Sequence, residues 1–286
     1  AAHTSSLKQS IRDKLFRAYK MTSSDRFDYF VGLHVQYRPG VVHVSQTNYI
    51  VSLLQRFKLE EARTYNTPAR MKEVLQPAQP GEEIITNSED YRELTGALWW
   101  IAMATRPDIA FAVWQISRYA HCYTIRHWKA ACRILQYLSE TRGLGIQYNR
   151  NTPPYHNFVV ELFTDAEHAG DSSNRRSVGG WLTKISGGAV AWAVVKGSRV
   201  ALSPAHAETS ILSEGCREAC WTDNMLKCLL PHLYDGVEAY TDSRAAKATA
   251  SSILCKERSK HMSIKETFCK QAVQTKLVRM NWISTS

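Results

Sequence analysis

The chain reads as a mixed α/β protein in two parts: a mostly helical first half, and a second half built on a mixed sheet with flanking helices. Three observations predict this. Apolar residues recur at helical spacing through much of residues 7–138. From residue 158 the pattern changes to short apolar runs, and then to helix alternating with strand. Between the two lies a polar, proline-rich stretch, 149–157, where the boundary is expected.

Taken in order, Leu7, Ile11, Leu15, Phe16 and Tyr19 fall on one side of a helix over 7–20. Two strands are expected at 27–37 and 41–45, around the turn signal Arg38, Pro39, Gly40. A helix follows at 46–57. Residues 64–88, rich in Pro, Thr, Gln and Glu, read as a long surface connection. The apolar pattern from Tyr91 to Ser117 is broken by Thr105, Arg106, Pro107 and Asp108, read as a turn between helices. Trp99, Trp100 and Trp114 are expected in the core, with stacking on bases as the lesser reading. Trp128, Ala131, Leu135 and Leu138 share one side of a helix over 126–138, and 143–148 reads as a strand.

The second half reads as strands at 158–165, 178–185, 189–195 and 199–202, with a turn at Gly187 and Gly188. A helix over about 205–230 follows, then a strand at 237–242, helices at 243–254 and 259–274, and a last strand at 276–283.

With 286 residues, 44% of them hydrophobic, the chain can bury real cores and is not globally disordered. Its net charge of +10 favours a polyanionic partner, nucleic acid first. Seven cysteines, none at CxxC spacing, argue against a zinc site and for free thiols in a reducing compartment. No apolar run reaches the roughly 18 residues of a membrane helix. The N-terminus lacks a signal-peptide form and an initiator Met, so the chain is expected to be cut from something longer.

The chemistry is expected around Glu161–Asp171. An apolar run from Phe158 stops at Asp165, and a carboxylate beside a buried strand is costly without a partner. Glu208 follows at the start of a helix, and Asp242 ends a second apolar run, 236–242. Three such groups converging repel one another unless cations neutralise them, which is the layout of a two-metal phosphodiester hydrolase. Each residue alone also reads as an ordinary turn, cap or helix-dipole residue.

Further pieces give this pattern a family. Tyr29–Leu33, Val44–Tyr49, Thr67–Pro68, Tyr91–Leu98, Thr105–Val113, His127–Ala130 and Arg133–Leu138 are followed by Phe163–Ala166, Ala169–Asp171, Arg175–Ser177, Ser186–Gly188, Val200–Ser203, Ala207–Glu208 and Ser259–His261. In this order the chain resembles the C-terminal part of a copia-type retrotransposon Pol polyprotein: the end of the reverse transcriptase and its ribonuclease H domain. The resemblance implies a thumb- or connection-like fragment over 1–157, without the palm's catalytic motif. Over 158–286 it implies a ribonuclease H-like five-stranded mixed sheet, truncated at its C-terminus.

It further implies that Asp165, Glu208 and Asp242 are catalytic and hold two ions of Mg²⁺ or Mn²⁺, cutting the RNA strand of an RNA–DNA hybrid. Template–primer nucleic acid and the rest of the polyprotein are the implied partners, with no membrane. The implied setting is intracellular: the cytoplasm, a virus-like particle or the nucleus. Arg175, Arg176, Lys260 and His261, with the run Lys256, Arg258, Lys265 and Lys270, are candidate phosphate contacts, against the alternative of an ordinary solvated helix face.

The chain also departs from the family pattern. It has no Tyr-x-Asp-Asp, so no polymerase activity is expected of it alone. It stops at Trp282–Ser286, where a fourth carboxylate would follow. His168 stands for a usual Trp, His206 for Glu, Thr209 for Tyr, Ser243 for Asn and Ser263 for Asp. His206 reads as a capping residue, or alternatively as a proton shuttle. The rival expectations are therefore a catalytically decayed relict that binds nucleic acid through its basic surface, and an inert remnant.

Overall fold

The computed structural model describes residues 5–20, 27–71, 73–86, 89–150, 158–171, 174–198, 200–229, 231, 234–252 and 260–284. The first half contains α1 (Ser5–Ala18), β1 (Tyr29–Phe30), β2 (Leu33–Arg38), β3 (Val41–Ser45), α2 (Thr47–Arg56), β4 (Ile85–Thr86), α3 (Glu89–Ala104), a 3₁₀ turn (Pro107–Ile109), α4 (Ala110–Ser117), β5 (Cys122–Tyr123), α5 (Ile125–Glu140) and β6 (Ile146–Asn149). The second half contains β7 (Phe158–Asp171), β8 (Arg176–Ile185), β9 (Gly188–Lys196), α6 (Pro204–Leu229), β10 (Tyr234–Thr241), α7 (Arg244–Ser251), α8 (Lys260–Gln274) and β11 (Val278–Trp282).

In the first half, α2, α3, α4 and α5 bury one core containing Ile50, Leu54, Leu94, Leu98, Ile116 and Leu135. The buried positions of α3 include Tyr91, Leu94, Leu98, Ile101 and Ala102, at helical spacing, with Thr95 and Ala97 beside them. Trp99 and Trp100 lie on the other face, 41% and 39% exposed, which corrects their expected place in the core. A four-stranded antiparallel sheet, β1-β2-β3-β6, packs beside the helices. The strand expected over 27–37 is broken after Phe30, because Val31 and Gly32 both take positive φ. The helix expected over 7–20 forms as α1, with its apolar residues Leu7, Ile11, Leu15 and Phe16 exposed.

The turn at 105–108 is built around Arg106, whose side chain is 2% exposed. It donates to both Asp108 oxygens, at 2.9 and 2.7 Å, and to the Thr141 carbonyl and hydroxyl at 2.9 and 2.7 Å. Tyr137 donates to the same Asp108 carboxylate at 2.7 Å. Burial pushes the Asp108 carboxyl up, but the hydrogen bonds and charge of Arg106 outweigh it and hold the pKa below the usual range. The segment is a structural lock between α3 and the end of α5. The long connection is also anchored: Leu75 is buried, its N–H donates to Gln115 Oε1 at 2.7 Å and its carbonyl accepts from Tyr119 at 2.8 Å.

The second half holds the expected five-stranded mixed sheet, in the order β11-β10-β7-β8-β9. β7, β8 and β9 form an antiparallel meander, while β10 runs parallel to β7 and β11 parallel to β10. α6 lies on β7, β8 and β10, and a core of Val160, Leu162, Leu212, Cys216, Val237 and Cys269 fills the space under the helices. Two expectations change here. β7 continues past Asp165 to Asp171, since β8 still pairs with it there. The strand expected at 199–202 does not form over the described residues 200–202, where Val200 and Leu202 are 50% and 86% exposed.

The halves touch through β6, β9 and α4. Trp192 donates to the Ala102 carbonyl at 2.8 Å, and Tyr148 donates to the Ala189 carbonyl at 2.8 Å. Gly188 permits the approach, since a Cβ there would meet the Tyr148 ring at 2.4 Å. Asp171, its side chain 1% exposed, pairs with Arg118 of the first half at 2.9 Å and with Lys196 of β9. Residues 151–157, where the boundary is expected, lie outside the described residues.

A candidate three-carboxylate metal centre

Parallel pairing sets Thr164 of β7 beside Thr241 of β10, as the last pair of that ladder. The next residue on each strand is therefore an acid, Asp165 and Asp242, at the same end of the sheet. Asp242 is fixed from two directions. The Trp282 indole donates to its carbonyl at 2.9 Å, and Ser243 caps α7 immediately afterwards by accepting from the Ala246 N–H at 3.1 Å.

The third acid arrives from α6. Its start follows local rules: Ser203 accepts from the His206 N–H at 3.2 Å, and Pro204 takes the first helical position, where its missing N–H is no loss. His206 Nδ1 accepts from the Leu202 N–H at 3.3 Å, so the capping role holds for this residue. The helix then lies unusually close to the sheet. A Cβ on Gly179 of β8 would come within 2.7 Å of Ile211 on α6, and one on Gly215 of α6 within 2.8 Å of Leu162 on β7. This contact lowers Glu208 onto the strand ends.

One oxygen from each of Asp165, Glu208 and Asp242 lies within 4.8 Å of the others. Asp165 is exposed, Asp242 half-buried, and Glu208 only 8% exposed. Glu208 Oε1 accepts from the Ala166 N–H at 3.3 Å, while Oε2 is buried without a partner. An unpaired buried carboxylate oxygen is costly. Burial first, then the charges of Asp165 and Asp242, push the Glu208 pKa up to about 7. A divalent cation would satisfy the orphaned oxygen and relieve the mutual repulsion, and three hard oxygen donors suit it. The residues present therefore fit a metal centre.

The other sequence candidates sit elsewhere. Arg175 and Arg176 are exposed at the far end of the β7–β8 hairpin, beyond Asp165. Lys260 and His261 begin α8, and their side chains, like Lys256 and Arg258, lie outside the described residues. Lys265 donates to Ser210 at 2.8 Å and pairs with Glu214 at 3.3 Å, and Lys270 is only 4% exposed, which corrects the reading of the latter as a phosphate contact. Among the described residues the cysteines are free; Cys255 lies outside them. No helix among the described residues is long and apolar enough to cross a membrane. Sequence reading missed three supports of the site: Gly179, Gly215 and Trp282. The two glycines fall inside an apolar strand and a helix, where glycine is disfavoured, and that was the available signal.

No protein-family model matches the chain. Among curated proteins it is similar to the retrovirus-related Pol polyprotein from transposon TNT 1-94 of Nicotiana tabacum, at 30% identity over 247 residues, 85% of this chain and 18% of that protein. It is 29% identical to the Pol polyprotein from transposon RE1 of Arabidopsis thaliana over 274 residues, 96% of this chain and 18% of that protein. The chain thus spans under a fifth of the length of these relatives. Among solved structures, a foamy viral protease-reverse transcriptase in complex with double-stranded DNA aligns over 100% of this chain and 44% of its own, with a TM-score of 0.51 and 12% identity. That likeness concerns the fold.

Proposed function

Because this chain belongs to the family of retrovirus-related Pol polyproteins of copia-type transposons, we propose that its second half is a ribonuclease H that hydrolyses the RNA strand of an RNA–DNA hybrid. The observation that carries the reading is the meeting of Asp165, Glu208 and Asp242 around a buried, unpartnered Glu208 oxygen. We take residues 158–286 as this domain and residues 1–157 as the thumb- or connection-like fragment that holds template–primer nucleic acid. The rest of the polyprotein is the natural partner of both.

Asp165, Glu208 and Asp242 would hold the ions, two of Mg²⁺ or Mn²⁺. Bound there, the ions would activate a water and neutralise charge on the scissile phosphate. The protein's part is placement. Two strand ends locked in register hold Asp165 and Asp242 at fixed separation, and the Ala166 N–H holds Glu208 turned toward them. Glu208 must lose its proton to act as a ligand, so ion binding strengthens as pH rises through about 7.

The test is cleavage of a labelled RNA–DNA hybrid with Mg²⁺ or Mn²⁺, comparing the chain with Asp165→Asn. Metal-dependent cleavage that the variant abolishes is the expected outcome. A folded chain that binds the hybrid without cutting it sinks the nuclease reading in favour of a binding relict.

A further inference from the structure

We propose that a groove in the first half, between α5 and the segments 65–70 and 73–75, binds a nucleoside phosphate. The inference is independent of the carboxylate centre. The groove encloses about 520 Å³, within the range of small-molecule sites, and its floor is apolar, including Leu75, Ile116 and Ile134. Its rim carries Arg70, Arg126, Lys129 and Arg133 against one carboxylate, Glu73. An apolar floor with a cationic rim recognises a ligand with both a flat ring and a concentrated negative charge.

Two of these cations are already committed. Arg126 pairs with Glu82 at 3.0 Å and also donates to the Gln76 and Pro77 carbonyls, while Arg70 faces Glu73 at 3.7 Å. Lys129 and Arg133 have no acidic partner among the described residues. The Arg133 guanidinium lies 4.0 Å above the Tyr65 ring, which fixes its plane, and gives one hydrogen bond to Thr67 Oγ1 at 3.0 Å. Its Nε is buried with no acceptor, as is that of Arg126. A stacked guanidinium with most donors unspent, beside a free ammonium, suits a phosphate, which accepts several hydrogen bonds at once. The ring would lie on the apolar floor beside Tyr65.

Titration calorimetry on the full chain tests this with adenosine 5′-monophosphate, adenosine and inorganic phosphate. The expected result is binding of the monophosphate well above either component alone. Arg133→Gln or Lys129→Gln should weaken it roughly tenfold or more, the loss of one charge-assisted hydrogen bond. Arg217→Gln, which removes an equal charge from an exposed arginine in the other half, should leave it unchanged. Lys129 is exposed, so its variant keeps the test valid if Arg133→Gln fails to fold. Competition with a short oligoadenylate separates sources: displacement assigns the site to a nucleotide within a strand, and no displacement to a free nucleotide. Binding no tighter than adenosine or phosphate alone, or equal weakening by Arg217→Gln, overturns the proposal.

Discussion

Replacing Glu208 by Gln should make the metal-free protein more stable at alkaline pH than the parent, although the residue is nearly buried. In the folded chain the carboxyl has a pKa of about 7, against 4.5 for the unperturbed group. Between those values the folded state keeps a proton that the unfolded state has released. The resulting stabilisation is fully present below pH 4.5 and is lost as pH rises through about 7. At 1.36 kcal/mol per unit, the whole interval is worth about 3 kcal/mol. Gln is neutral throughout and loses nothing. The assay is urea unfolding in chelator at pH 5 and pH 8, for parent and Glu208→Gln, with the difference cancelling all other titrations. Part of the effect is already lost at pH 5, so the variant should gain about 2.5 kcal/mol on the parent between pH 5 and pH 8, and Mg²⁺ at pH 8 should restore the parent alone. Parallel pH curves for the two proteins would refute the account of a proton held by burial and by the two aspartates.

Gly179→Ala should cost about 2 kcal/mol by overpacking α6 against β7, and should reduce hybrid cleavage further by moving Glu208; unchanged unfolding and activity would remove the spacer role. Arg106→Met keeps the volume but removes the Arg106 hydrogen bonds, leaving Asp108 with the Tyr137 hydroxyl and the Thr141 carbonyl with the Leu144 N–H, for a loss of about 2 kcal/mol in chemical denaturation. Asp171→Ala leaves Arg118 and Lys196 facing a site without its carboxylate; a drop of about 3 kcal/mol is expected, with faster hydrogen exchange in β9.

The helices were legible where one face is apolar and the other is not, as in α2 and α5. From Ala97 onward α3 is apolar all round, so periodicity marks a helix there but not its buried side, and Trp99 and Trp100 lie on the side opposite to the one expected. The break at Val31 had little signal, because a β-branched residue rarely takes positive φ. The run at 199–202 is as apolar as a strand, yet over its described residues it has no place in the sheet, and sheet neighbours are not written in local sequence. The three carboxylates were readable from their settings at two strand ends and a helix start. What could not be read was their closeness, which depends on the register of β7 with β10 and on two glycines that let α6 descend. The Asp171 cluster was invisible for a similar reason: its partners Arg118 and Lys196 come from distant elements.

The side-by-side course of β7 and β10 has a consequence for how the chain matures. The two strands are neighbours in the sheet, but β8, β9 and α6 separate them along the chain, and a parallel pair can close only after that long loop has been gathered in. The pairing is therefore expected to close late, and its register brings Asp165 and Asp242 together against Glu208. Without a counter-ion, like charges resist that closing step. A divalent ion bound by the three carboxylates would relieve that repulsion, so refolding should be faster with such an ion present than in chelator.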